Sequence, residues 1–210
     1  PESVAVSMLY GFAHPERERT VADAIRSGLG DIPISLSSEV AAEIREFERA
    51  STVILNAYLM PVVERYLRRL AERVEASTTV MRSSGGLIPL EVAARLPAAI
   101  VLSGPAGGAV AAAALGRAMG KRTVISFDMG GTSTDVCRIE GGRPEVAYQR
   151  SVDGLPSTLP SVAIHTVGAG GGSIAWTDSG GALRVGPASA GADPGPACYG
   201  RGGLLATVTD

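Results

Sequence analysis

The chain has 210 residues, 45% hydrophobic and 19% charged, with a formal net charge of −2. That balance describes a globular domain and excludes a disordered chain. It also excludes a nucleic-acid binder working through a basic field, because Asp and Glu outnumber Lys and Arg.

Cys137 and Cys198 form neither a CxxC pair nor a disulfide framework, so a reduced, cytoplasmic setting is expected. No basic segment precedes the first apolar run, so no signal peptide is expected. The chain opens on Pro1 rather than Met, as a fragment of a longer protein would. Residues 98–116 carry no charge and are long enough to span a bilayer. Their Ala and Gly side chains contribute little transfer energy, however, and Ser103, Gly104 and Pro105 interrupt the run. A buried strand and a tightly packed helix are expected there, with no membrane segment.

In chain order, residues 3–9 read as a buried strand. Residues 14–27 read as a helix, with Pro15 near N1, acids in the first turn, and Gly28 and Gly30 at its end. Residues 32–36 are a second strand. Ser37 or Ser38 caps a long helical region, in which Val40, Ile44 and Phe47, then Val53, Ala57, Val62, Tyr66, Leu70 and Val74, form a core stripe. Pro61 marks a kink or a break. Strands at 79–82, 99–102 and 123–127 then alternate with helices at 88–95 and 105–119, an α/β signature. Of 27 glycines, 22 lie at or after Gly104, so a helical front half gives way to a glycine-rich back half of strands and loops. The expected parts are 1–36, the end of a preceding α/β segment; 37–100, a helical segment with a connecting strand and loop; and 101–210, a glycine-rich phosphate-binding part.

The segment with the sharpest chemistry is 124–136, VISFDMGGTSTDV. An apolar strand delivers the carboxylate of Asp128 at its end. Gly130 and Gly131 turn the backbone where side chains would block a ligand. Thr132, Ser133 and Thr134 add hydroxyl donors, and 136–139 leads away as the returning strand. A glycine turn with free N–H groups suits phosphate oxygens, and a nearby Asp suits Mg²⁺ through its waters. The bland reading is a hairpin whose glycines serve only the turn. Two other phosphate loops are excluded. Residues 116–122 have Arg122 where a Walker A loop needs Ser or Thr, and Gly168–Ser173 lacks the full dinucleotide fingerprint. His165, in an apolar strand pattern, reads as structural before catalytic, and Cys198 has no local base.

The small-residue run SGPAGGAVAAAALG at 103–116, placed directly before that hairpin, resembles the connecting helix of the actin, heat-shock-70 and sugar-kinase superfamily. With MRSSGG at 81–86, IHTVGAGGGSIAW at 164–176 and LRVGPASAGADPGPACYGRGG at 183–203, the chain resembles the hydantoinase A/5-oxoprolinase family over essentially its whole length. One departure is Ser84, where the family usually has Asn.

The resemblance implies an α/β, ribonuclease-H-like (actin-like ATPase) domain, as an incomplete fragment of a larger two-domain enzyme. It implies an ATP-dependent hydrolase of cyclic amides, using ATP and Mg²⁺. Gly130, Gly131, Thr132, Ser133 and Thr134 would hold phosphate, Asp128 would act at the reacting phosphate and orient the metal, and Gly170, Gly171 and Gly172 would lie near nucleotide. A small cyclic-amide substrate and a hydantoinase B-type partner follow, with no nucleic acid and no membrane; a homo-oligomer is compatible. The family's first phosphate hairpin is not among these residues, so they would hold half of a two-hairpin clamp. Alternatives are an actin-like nucleotide switch and the ATP-using subunit of a ketone carboxylase.

Overall fold

The structure, a computed structural model, describes residues 1–152 and 154–210. The front of the chain forms β1 (Val4–Val6), α1 (Pro15–Leu29), β2 (Ile34–Leu36), α2 (Ser37–Val40) and α3 (Glu46–Arg73). These are followed by β3 (Thr79–Met81), β4 (Leu87–Pro89), α4 (Leu90–Arg95), a 3₁₀ turn at Pro97–Ile100 and α5 (Ser103–Ala118). Strands dominate the rest: β5 (Thr123–Met129), β6 (Thr134–Glu140), β7 (Arg143–Pro144), β8 (Val146–Ala147), β9 (Arg150–Val152) and β10 (Leu155–Ser157). The last are β11 (Ser161–Val162), β12 (Ile164–Val167), β13 (Ser173–Thr177) and β14 (Leu183–Ser189). The architecture is mixed α/β. It divides into one unit of residues 1–107 and 146–162 and another of 108–145 and 163–210. Among the described residues no helix is long and apolar enough to cross a membrane.

In the first unit β1 and β2 pair in parallel, Val4 opposite Ile34 and Val6 opposite Leu36, with α1 as the crossover a parallel pair requires. Val6, Ala22 and Leu36 form its core. Glu18, in the first turn of α1, is fully buried. Its carboxylate accepts the Ser37 hydroxyl at 2.6 Å and the Ser38 and Met8 N–H groups at 2.8 and 2.9 Å. Burial pushes the Glu18 carboxyl up, but these hydrogen bonds outweigh it and leave the pKa below the ordinary value.

Three expectations are corrected here. The helical region after Ser37 is two helices, and α3 continues through Pro61 instead of breaking. Proline removes the N–H that would reach the Ala57 carbonyl, and the Ser3 hydroxyl donates to that carbonyl instead, at 2.7 Å. The core stripe also lies elsewhere: Val40, Val53 and Ala57 are buried, but Ile44, Phe47, Val62 and Tyr66 are exposed. The buried face of α3 includes polar residues with partners. Asn56 donates to Ser35 and to the Arg95 carbonyl and accepts from Ala98 N–H, while Arg49 donates to the Glu43 and Met8 carbonyls. Finally, 99–102 is no strand. Pro97 starts a 3₁₀ turn, whose Ala99 carbonyl accepts from Ser83 N–H.

In the second unit β12, β6 and β5 lie side by side, all antiparallel, with β7 returning along β6. The β5–β6 hairpin runs from Thr123 opposite Glu140 to Met129 opposite Thr134, as the sequence predicts. Ala109 and Ala113 of α5 are buried, and a Cβ at Gly116 would lie 2.7 Å from the Val124 methyl. Small residues therefore let the helix and sheet approach closely. β13 and β14 form a second hairpin.

Candidate functional site

Hydrogen bonding within the β5–β6 hairpin leaves its four-residue connection, Gly130 to Ser133, to find partners of its own. Gly130 N–H donates to the Ser133 carbonyl at 2.9 Å and closes the turn. The amides of Gly131, Thr132 and Ser133 have no protein acceptor among the described residues. A Cβ at Gly131 would meet nothing within 4 Å, and its φ is not in the left-handed region. Such a bare, donor-rich turn suits an anion.

Behind the turn lies the glycine loop at 168–172. Gly171 N–H donates to the Gly130 carbonyl at 2.8 Å, and Gly172 N–H to the Gly131 carbonyl at 2.7 Å. A Cβ at Gly170 would lie 2.6 Å from the Gly130 oxygen and 2.7 Å from the Thr132 and Ser133 nitrogens. Only glycine permits that approach. Thr134 is buried and donates its hydroxyl to the Ala169 carbonyl at 2.6 Å. The structure thus brings Gly130, Gly131, Thr132, Ser133 and Thr134 together with Gly170, Gly171 and Gly172. Thr134 faces the supporting loop, while Thr132 is exposed.

Asp128 is exposed, two residues before the turn, and stands opposite Asp135 across the hairpin. Its Oδ2 would lie 3.9 Å from a Cβ at Gly108. Asp135 accepts the Thr166 hydroxyl at 2.6 Å. His165 lies exposed on β12 opposite Val136.

A cleft of about 670 Å³ opens beside the turn, within the size range of small-ligand sites. Met129, Gly131 and Thr132 line it on one side, with Tyr199, Arg201 and Thr209 elsewhere on its wall. The residues from the end of the chain escaped the sequence reading. Thr209 donates both its N–H and its hydroxyl to the Gly171 carbonyl, at 2.9 and 2.8 Å. The Asp210 carboxylate accepts from the N–H groups of Ala197, Cys198 and Thr207 and from the Thr207 hydroxyl. The Cys198 N–H bond, then the neighbouring thiol and Thr207, hold the Asp210 pKa well below the usual carboxylate range. In turn the carboxylate pushes the exposed Cys198 thiol up. Nothing local in sequence could reveal Asp210, whose partners Ala197 and Cys198 lie 13 and 12 residues away.

The family of this arrangement is decided by comparison. A model of the Hydantoinase/oxoprolinase family matches residues 49–210. The chain belongs to that family. It is 40% identical to caprolactamase subunit alpha of Pseudomonas jessenii, over 100% of this chain and 31% of that protein. It is also 40% identical to 5-oxoprolinase of Saccharomyces cerevisiae, over 100% of this chain and 16% of that protein. The crystal structure of the ATP-dependent caprolactamase from Pseudomonas jessenii superimposes with a TM-score of 0.78 at 37% identity, covering 99% of this chain and 31% of that one. Nucleotide-free acetone carboxylase gives 0.73 at 30% identity, covering 98% and 30%. The chain therefore spans about a third or less of the length of these hydantoinase/oxoprolinase relatives.

Proposed function

We propose that this segment is the phosphate-binding part of an ATP-dependent enzyme that hydrolyses cyclic amides, in a ribonuclease-H-like, actin-like domain. One observation carries the reading: the three unpartnered amides of Gly131, Thr132 and Ser133, in a turn whose Gly131 and Thr132 line a cleft, with an exposed carboxylate at Asp128 just before the turn. Relatives described as ATP-dependent, or named for a lactam or oxoproline substrate, support it.

The residues present fit a nucleotide's phosphates. Gly131 leaves open space where a side chain would obstruct, and the turn offers donors without bringing negative charge of its own. Gly131, Thr132 and Ser133 hold phosphate oxygens, Gly130 closes the turn through its N–H, and Thr134 with Gly170, Gly171 and Gly172 fixes the turn from behind. Fixed donors need no rearrangement as charge develops, which is how phosphoryl transfer is assisted. Asp128 orients Mg²⁺, an ion that keeps several waters and takes one or two carboxylates besides phosphate oxygens.

Cyclic amides are poor electrophiles at neutral pH. ATP would supply a phosphoryl group for the amide oxygen, with ADP leaving and the ring N–H proton lost, after which water would open the ring and release inorganic phosphate. The task of this chain is positioning and charge neutralisation at that phosphoryl group. A hydantoinase B-type partner completes the enzyme, a reading supported by the relative named as a subunit alpha.

The acetone carboxylase likeness favours a second reading, in which the same site serves ketone carboxylation. ATP hydrolysis by the full-length protein with its partner separates the two. Stimulation by caprolactam, 5-oxoproline or a hydantoin supports the first, and stimulation only by a ketone with bicarbonate supports the second. Turnover indifferent to either would indicate a nucleotide switch.

A further inference from the structure

Arg201 is the one charged side chain lining the cleft among the described residues, and the cleft wall contains no carboxylate. We infer that Arg201 is the side chain that reads the terminal phosphoryl group of a nucleoside triphosphate. This inference rests on the proposed function.

Three features of the structure support it. First, Arg201 makes no ion pair among the described residues. Its guanidinium lies 5.8 Å from the Tyr199 ring centroid, a stacking contact that leaves its N–H donors free. Second, its loop is held at both ends of a continuous hydrogen-bonded path. Asp210 fastens Ala197 and Cys198, adjacent Thr209 fastens Gly171, and Gly171 fastens the Gly130 carbonyl of the turn. The arginine loop is therefore tied to the turn by hydrogen bonds, from backbone N–H groups to the Asp210 carboxylate and then between backbone groups, not by loose packing. Third, Gly200 and Gly202 flank Arg201 at φ +67° and +93°, conformations that glycine adopts without strain, so the positions beside Arg201 suit glycine.

The chemistry is complementary. The Gly131–Ser133 amides are neutral donors and cannot by themselves compensate a phosphate dianion. A planar guanidinium can donate two parallel hydrogen bonds to phosphoryl oxygens, which an ammonium cannot. A cationic side chain on the cleft wall that contacts only the terminal group distinguishes a triphosphate from a diphosphate. Asp210 is then a positioning residue for this contact.

The test is calorimetric titration of the full-length protein with Mg·ATP and, separately, Mg·ADP. Wild type, Arg201→Gln, Arg201→Lys and Gly131→Ala are compared, with thermal unfolding confirming that each folds. Arg201→Gln should weaken ATP binding about tenfold or more and change ADP binding less than about twofold, since one charge-assisted bidentate contact is lost. Arg201→Lys should lie between. An unchanged ATP-to-ADP affinity ratio in Arg201→Gln, while Gly131→Ala loses both nucleotides, would overturn the role of Arg201 alone. Unaltered binding of both nucleotides in Gly131→Ala would overturn the phosphate-site reading itself, as would absence of ATP binding in wild type.

Discussion

Asp128 and Asp135 face each other directly across the β5–β6 hairpin. Directly opposed residues on antiparallel strands share one face of the sheet, where two like charges repel. Asp135 is satisfied by the Thr166 hydroxyl, whereas Asp128 is exposed beside the turn. A cation near Asp128 would relieve the repulsion, and in its absence the pair weakens the hairpin.

Asp128→Asn should therefore leave the fold intact and, without metal, slightly raise the melting temperature. In the full-length protein it should cut ATP turnover about a hundredfold, a loss of about 2.7 kcal/mol of transition-state stabilisation. Asparagine keeps the shape of Asp but cannot compensate a metal-bound triphosphate. Steady-state ATPase assays with parallel thermal unfolding check both statements; unaltered turnover would remove Asp128 from the site.

Glu18 should make the first unit acid-sensitive. Its folded pKa is lowered, so its contribution is present above the ordinary Glu value, about 4.3, and is lost as pH falls below it. Glu18→Gln presents an N–H where Ser37, Ser38 or Met8 already donates. It should destabilise by about 1–3 kcal/mol at neutral pH and flatten the dependence below pH ~4. Thermal unfolding from pH 7 to 3 tests this, and parallel curves for the two proteins would contradict it.

Cys198 should alkylate slowly for an exposed thiol. A raised thiol pKa leaves less thiolate at pH 8, and Asp210 is the first cause of the rise. Asp210→Asn should speed modification of Cys198 by iodoacetamide without exposing Cys137, which is buried. Mass spectrometric counting of modified sites over time reads this directly. Equal rates in both proteins would show that the carboxylate does not act on the thiol.

The parts of the fold legible in sequence are those with a local cause. The apolar strand, Gly130-Gly131 turn and returning strand define β5–β6 within residues 123–140. Pro15 with its following acids marks α1, and the Ala and Gly run marks α5. What stayed hidden depends on distant partners. The continuity of α3 through Pro61 needs the Ser3 hydroxyl on the Ala57 carbonyl, 54 residues away. The buried stripe of α3 is not legible in its periodicity, because Arg49 and Asn56 find backbone and side-chain partners that no apolar spacing reports. The apolar run at 99–102 reported burial of Ala99 but not its turn geometry. At the candidate site, the turn was visible as a motif. The wall carrying Tyr199, Arg201 and Thr209 was not, because hydrogen bonds between remote segments assemble it.

The most direct test of the phosphate turn compares two glycines. Gly170→Ala places a Cβ against backbone atoms of the turn and should destabilise the second unit by about 1–3 kcal/mol through overpacking. Gly131→Ala meets only open space and should leave the melting temperature unchanged. Mg·ATP titrated calorimetrically into full-length Gly131→Ala should nevertheless bind at least about tenfold more weakly than to wild type, because the new methyl group occupies the cradle. Wild-type affinity in a fully folded Gly131→Ala protein would contradict the account, since no phosphate could then be resting on this turn.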